Sequence, residues 1–405
     1  MTSLKEKILN KIKYYEDEIK STKDYLHLYP ELSSKEFQTS AYLKKRCKDM
    51  GLFVEDVEDS TGFTALLDTG KAGKILGIRT DIDALAIKES DFNLKDKKKL
   101  VSKNVGVSHA CGHDSHMTMV LILARILLDL KEEFSGKIYF IFEEAEETGQ
   151  GIDKMLRHLK GKGLDAVYGN HNSPDLDIGK FSVLKGPSHA GCIAIDFDVI
   201  GKGGHGSRPD RLINPLTAAC NIITGITNAW VNQIDVTKTV TFGLGAINGG
   251  TSANVIPDKC KLRATLRFFD VDEGIHALEV LKEVAEFTAK AHKCEVKFTE
   301  NTRITARPVI NDPKLAEFIR KSLLSIYPDS LVEAEAEYIS ETFYGYGKLC
   351  PSVITKFGIR DESRGYGSDL HTKEFDLSYE SIEFAIGLAC KFAVDFLSQE
   401  GIWLS

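Results

Sequence analysis

The chain has 405 residues, 42% of them hydrophobic and 27% charged, with 33 Gly and 10 Pro. That balance excludes a disordered, collagen-like or disulfide-scaffold polypeptide, and the length allows two or three domains with real cores. With 52 Lys and Arg against 59 Asp and Glu, the net charge is −7, which leaves no basic footprint for nucleic acid or an anionic membrane.

The opening stretch MTSLKEKILNKIKYYEDEIK places Leu4, Ile8, Ile12, Tyr15 and Ile19 on one face of a predicted amphipathic helix. It lacks the uninterrupted apolar run of a signal peptide. The longest uncharged stretch, residues 212–234, carries Asn214, Asn221, Asn228 and Asn232 and is too polar to span a bilayer cheaply. A cytoplasmic protein is expected. Eight scattered cysteines without a CxxC pair give neither a zinc-finger framework nor a secreted disulfide pattern.

Ser33 and Glu36 in SSKEF have capping-box spacing and predict a helix through Phe37, Ala41 and Cys47. From Phe63, short apolar runs separated by glycine (TALLDTG, KILGIRTDID, GKIYFIFEE, DAVYGNHN) read as strands, with a nearly all-apolar helix over 116–130 between them. Such alternation predicts an α/β sheet covered on its faces. Near residue 187 the texture changes to strand–helix–strand–strand–helix–strand, an α+β unit of the ferredoxin-like kind. The α/β texture resumes after about residue 300 and ends in a helix over 379–397. The expected organisation is a discontinuous catalytic domain, 1–186 and 300–405, carrying an inserted domain, 187–299.

The densest chemical cluster is HACGHDSH, residues 109–116. Cys111 and His113 are two apart, so an extended segment would present both side chains on one side. A thiolate and an imidazole suit a transition metal, zinc above all. Asp114 and Ser115 could cap the following helix; a buried cysteine among incidental histidines is the alternative, which three His and one Cys within eight residues make the weaker one. A second cluster, Glu143-Glu144-Ala145-Glu146-Glu147, ends the apolar strand IYFIF. Massed carboxylates repel unless a cation or shared protons neutralise them. If extended, Glu146 and Glu147 face opposite ways, one toward a metal and the other toward its water. Read alone, the segment favours a solvated acidic loop. His171 and His371 are single histidines, ordinarily structural, but they sit where strands of an open sheet end and ligands bind. In the inserted unit, GKGGHGSRPD offers His205 and GGTSANVIPD offers Asn254, either of which could be a turn residue. No phosphate-binding glycine loop or GxSxG elbow occurs.

Nine segments in register, among them LHLYPELSSKEF, RTDIDALAIKE, HACGHDSHM, EEAEETGQG, HNSPDLDIGKF, GKGGHGSRPD, GGTSANVIPD and LHTKEFD, resemble one family of metal-dependent amidohydrolases. That family holds bacterial aminoacylases, N-acetyldiaminopimelate deacetylases, aminobenzoyl-glutamate hydrolases and plant auxin-conjugate hydrolases. The resemblance implies a mixed-sheet, zinc-exopeptidase-like α/β domain with an inserted α+β ferredoxin-like lid and dimerisation domain. It implies two divalent ions, zinc or else manganese, cobalt or nickel, held by Cys111, His113, Glu147, His171 and His371. Glu146 would be the general base acting on metal-bound hydroxide, and Asp83 would support the site. His205 would reach across a homodimer to the partner's substrate, with Asn254 lining that pocket. The substrate would be an N-acyl amino acid or short peptide.

Two departures stand out. Glu143-Glu144 replaces the usual Gln-Pro, adding negative charge near the metals, and Ser340-Glu341-Thr342-Phe343 replaces Ser-Glu-Asp-Phe, removing an acid. They leave open a catalytically inactive relative that binds an amino-acid conjugate or peptide. A single closed structural zinc is a third reading, although five donors exceed the four it needs.

Overall fold

The computed structural model describes residues 2–398. The main strands are β1 (Phe53–Asp56), β2 (Phe63–Asp68), β3 (Ile75–Asp81), β4 (Lys137–Glu143), β5 (Ala166–Asp177), β6 (Gly191–Ile200), β7 (Val240–Asn248), β8 (Lys259–Phe268), β9 (Glu295–Phe298) and β10 (Ser352–Arg360). The helices are α1 (Leu4–Tyr14), α2 (Glu16–Leu28), α3 (Phe37–Asp49), α4 (His113–Asp129), α5 (Ile152–Leu159), α6 (Pro215–Gln233), α7 (Val271–Ala291), α8 (Pro313–Ile326) and α9 (Tyr379–Ser398). The chain forms two compact units. One takes in the chain up to Gly186, residues 310–335 and the chain from Gly345; the other takes in residues 187–309 and 336–344.

The first unit is built on a seven-stranded mixed sheet in the order β1-β2-β4-β3-β5-β10, closed by the short strand Phe181–Ser182. Its middle pairs, β4 with β3, β3 with β5 and β5 with β10, are parallel. Central parallel strands are covered on both faces, which is why KIYFIF and SVITKFGI read as near-continuous apolar runs. Helix α4 has no polar stripe because it has no wet side: Met117 through Ala124 are all buried, and it packs on α2, α9 and β3. Parallel strands ending together at Asp81, Glu143 and beyond His171 create the crevice where such sheets bind ligands.

Two local expectations are corrected. The N-terminal helix is two, breaking at Tyr15, whose hydroxyl is tied to Asp129 Oδ2 at 2.8 Å. Its apolar face is as read, with Ile8, Ile12 and Ile19 buried. The capping box does not form at α3. Ser33 instead donates to Asp83 Oδ2 at 2.7 Å, and Glu36 accepts from Ala145 N and Thr61 Oγ1. Both side chains are recruited to the end of the sheet, where buried polar groups need partners more than an exposed helix start does.

The second unit runs β6-α6-β7-β8-α7-β9, with the antiparallel sheet ordered β7-β8-β6-β9. This is the ferredoxin-like arrangement expected from the alternating strands. Asn214 caps α6 by accepting from Leu216 N, with Pro215 at the first turn, and Asp270 caps α7 through Glu273 N. The unit has its own core, including Ile193, Phe197, Ile222, Leu262, Leu266 and Leu281.

Candidate metal centre

Cys111 and His113 do not lie in an extended segment. Gly112 between them has φ +79°, and a Cβ there would collide with Asn172 Nδ2. Only glycine makes this turn, which leads directly into α4 at His113. The N-cap position is held by Gly112, which offers no capping side chain, although Asp114 Oδ1, one residue inside the helix, accepts from Ser115 N at 2.9 Å. Ser115 Oγ donates back to Gly112 O, while Asp114 reaches His27 Nδ1 at 2.8 Å.

Glu146 and Glu147 likewise depart from the extended geometry. Ala145 adopts φ +52°, a left-handed conformation costly for a residue with a side chain, and starts a single 3-10 turn over 146–148. The turn swings both carboxylates to the same place: each has an oxygen within 4.8 Å of a His113 ring nitrogen. His371 also has a left-handed backbone, φ +61°, and its N–H donates to Ala110 O at 2.8 Å. Strained backbones at two such positions are what functional sites hold.

The donors converge in overlapping clusters. Cys111, His113 and His171 form one, with Cys111 Sγ 3.5 Å from His171 Nε2. Cys111, Glu147 and His371 form another, with Glu147 Oε2 3.4 Å from His371 Nε2. His113 with Glu146 and Glu147 is a third, His113 Nε2 standing 3.7 Å from Glu147 Oε1. Because Cys111 and Glu147 each belong to two clusters, the donors suit a pair of ions better than one.

Hydrogen bonds fix which nitrogens face inward. His113 Nδ1 is 3.0 Å from Asp83 O and 3.1 Å from Asp83 Oδ1, and His171 Nδ1 is 2.7 Å from Asn172 O. Each Nδ1–H donates to an oxygen, leaving the Nε2 lone pair toward the cluster, as a metal-binding imidazole requires. His113 Nε2 and Glu147 Oε1 are buried and have no hydrogen-bond partner among the described residues. Such orphans demand an explanation, and a cation supplies one. Burial, with the Glu147 charge beside it, pushes the Cys111 thiol well above its ordinary range, so its thiolate needs a neighbouring cation. Burial also disfavours charge on His113, yet Asp81 and Cys111 outweigh it, making this a position that favours positive charge.

Three residues given no role from the sequence complete the support. Asp81 Oδ1 accepts from His116 Nδ1 at 2.9 Å, and His116 Nε2 accepts from Asn172 N at 3.1 Å. Asn172 Nδ2 also donates to Cys111 O at 2.7 Å. The sequence signals were the Asp81–Asp83 alternation and the spacing of His116 one helical turn after His113. His109, from the same motif, joins none of these clusters. Its ring nitrogens are buried without hydrogen-bond partners among the described residues, and burial lowers its pKa to about 4, so it is neutral.

The expectation that Glu143 and Glu144 add charge near the metals is corrected. Glu143 accepts from Arg79 Nε at 2.9 Å and Tyr346 Oη at 2.6 Å, while Glu144 pairs with Lys154 Nζ at 2.7 Å and takes Thr61 N. Lys154 balances Glu144, and Glu143 is bound by the Arg79 guanidinium that it shares with Asp81. In the second unit, exposed His205 and Asn254 lie side by side, with Gly206 N donating to Asn254 O at 2.7 Å. His205 Nδ1 accepts from Ser207 N at 3.2 Å, which leaves Nε2–H without an acceptor among the described residues.

The model of peptidase family M20/M25/M40 matches residues 77–395. Thermostable carboxypeptidase 1 of Saccharolobus solfataricus is 32% identical over 97% of this chain and 99% of its own length. N-acetyl-L-cysteine deacetylase of Bacillus subtilis is 32% identical over 82% of this chain and 78% of its own length. Among solved structures, a Bacillus subtilis protein described as a dinuclear metal-binding peptidase superposes with a TM-score of 0.81 at 27% identity, covering 95% of this chain and 99% of that one.

Proposed function

The chain belongs to peptidase family M20/M25/M40, and from that premise we propose that it hydrolyses the amide bond of an N-acyl amino acid or a short peptide. It is a metal-dependent amidohydrolase of the peptidase class. The observation that carries the finer reading is the chain of three overlapping donor clusters, linked through Cys111, His113 and Glu147, with Glu146 in the third.

In this reading Cys111, His113, Glu147, His171 and His371 hold two divalent ions, for which a thiolate, imidazole and carboxylate set suits zinc best. When bound, such ions lower the pKa of water from ~15.7 to about 7 and polarise a carbonyl oxygen. The chain's own residues do the rest. Glu146, on its strained turn, takes the proton of the attacking water and passes it to the departing nitrogen. Asp83 holds the His113 ring in its metal-facing tautomer. His205, with Nε2–H free to donate, stabilises the oxyanion in the partner subunit's active site, and Asn254 lines that pocket.

The homodimer is supported by β7, an edge strand of the second unit's sheet with Leu244 37% and Ile247 45% exposed. An apolar unpaired edge is a template for another chain. A cytoplasmic setting is supported by cysteines that are all free among the described residues, where also no helix is long and apolar enough to cross a membrane.

The test is metal analysis of the purified protein together with amine release from N-acetyl amino acids and dipeptides, with and without chelator. Close to two ions per chain and chelator-sensitive release are expected, and the best substrate separates deacylase from peptidase. One tightly held ion without release from any substrate would overturn the reading in favour of a binding or structural role.

A further inference from the structure

The rings of His116 and His171 pack against each other, with centres 4.6 Å apart and planes at 62°. His116 lies on α4, is buried, and is not one of the five proposed ligands. Its hydrogen bonds fix its protonation. Nε2 stands 3.1 Å from Asn172 N, a backbone N–H that can only donate, so this nitrogen carries no proton. The proton is then on Nδ1, which donates to Asp81 Oδ1 at 2.9 Å. Asp81, His113 and His116 stand close enough together to hold an ion, but the ring of His116 has already spent its one lone pair on an amide of the chain.

What His116 does instead follows from the residue it grips. Asn172 N is held by His116, and Asn172 O accepts from His171 Nδ1 at 2.7 Å. His116 therefore meets His171 twice, by ring packing and through the main chain of Asn172. Its own far nitrogen is anchored on Asp81, whose other oxygen is fixed by Arg79 Nη1 at 2.9 Å. Asn172 Nδ2 reaches both His116 Nε2 at 2.9 Å and Cys111 O at 2.7 Å, and the second of these bonds does not need His116.

Glu147 and His371 are placed by other groups. Glu147 N donates to Asp83 Oδ2, and His371 N donates to Ala110 O. Among the described residues, no hydrogen bond, ion pair or ring contact joins Glu147 or His371 to Asp81, His116 or Asn172. In the donor clusters His171 occurs with Cys111 and His113, whereas His371 occurs with Cys111 and Glu147.

We propose that His116 is a positioning residue for one ion of the pair, the one held by Cys111, His113 and His171, so that the two metal positions are supported separately and loosened separately. The inference rests on the two-ion reading above. It acts through the orientation of His171, and groups that orient a ligating imidazole set metal affinity over roughly 10–100-fold.

Zinc titration of the metal-stripped full-length protein against a chromogenic chelator, with ions counted per chain, tests it. Wild type is expected to take up two ions. His116→Ala is expected to hold one of them as wild type does and to bind the other roughly 10–100-fold more weakly. The retained ion also shows that the variant is folded. His116→Gln, whose amide keeps an acceptor for Asn172 N, is expected to recover most of the loss. Two backgrounds identify the ion. With His171→Ala, adding His116→Ala is expected to change nothing further; with His371→Ala, the effect of His116→Ala is expected to persist in full. Unchanged binding of both ions in His116→Ala, equal weakening of both, or a further loss in the His171→Ala background would overturn the proposal while leaving the two-ion reading standing. Fewer than two ions in wild type would overturn that reading, and this proposal with it.

Discussion

Arg79 Nε lies 2.9 Å from Glu143 Oε2, with both side chains at most 1% exposed. The second arm of the same guanidinium, Nη1, meets Asp81 Oδ2 at 2.9 Å. One buried cation thus joins the ends of adjacent parallel strands β3 and β4, from which the metal-centre loops depart. Removing one partner of a buried pair costs about 3–5 kcal/mol because the other charge is left uncompensated. Glu143→Ala is expected to lose stability of that order in denaturant unfolding while keeping its full metal content. Normal stability, or loss of metal, would show that Glu143 acts otherwise.

Asp83 holds His113 through Nδ1 and also accepts from Ser33 Oγ and from Glu147 N at 3.1 Å. It thereby fixes two proposed ligands at once. Asp83→Asn is expected to reduce metal affinity by roughly 10–100-fold, measured by competition with a chromogenic chelator. An affinity within error of wild type would leave the backbone carbonyl of Asp83 as sufficient support.

Glu146 shares a cluster with His113 and Glu147, yet the proposed role of base leaves it outside the ligand set. Glu146→Gln is expected to bind metal normally and to lose about 10²–10⁴-fold in kcat. Turnover close to wild type would remove Glu146 from that role.

Glu89 is tied to His27 Nε2 at 3.1 Å and Lys98 Nζ at 2.9 Å, and it accepts from Ser102 N. Burial alone would raise its pKa, but His27 and Lys98 override this and bring it to about 2 from 4.5. A depressed carboxyl contributes stability that is complete above the unfolded value and is lost as pH falls through the folded one. Between about pH 4.5 and pH 2 the unfolded chain binds the extra proton, so stability declines across that window. Glu89→Gln is expected to flatten this decline in urea melts run at successive pH values. An unchanged slope would assign the acid sensitivity to other carboxylates.

Much of the architecture was legible because it is locally encoded. Helix α4 announced itself by apolar residues all round, and the second unit by alternating strands and helices. The site was legible as residue types in the right order, read with the family resemblance, but not as geometry. The sequence suggested extended pairs at Cys111–His113 and Glu146–Glu147, whereas left-handed Gly112 and Ala145 turn them. It also suggested loose negative charge at Glu143, which Arg79 absorbs from the neighbouring strand.

The sequence by itself determined the chemistry on offer, namely which donors exist, which segments become helix or strand, and where apolar faces must be buried. These follow from periodicities of 2 and 3.6 and from capping residues, all short-range properties. Tertiary structure alone decided that Cys111, Glu147, His171 and His371, up to 260 positions apart (371 − 111 = 260), share one cluster system. It also decided that Asp81, His116 and Asn172 hold that system in place. Parallel strand pairing brings those loops together, and burial then forces each polar atom there to find a partner, so the partnerships follow from the packed sheet and not from any local pattern.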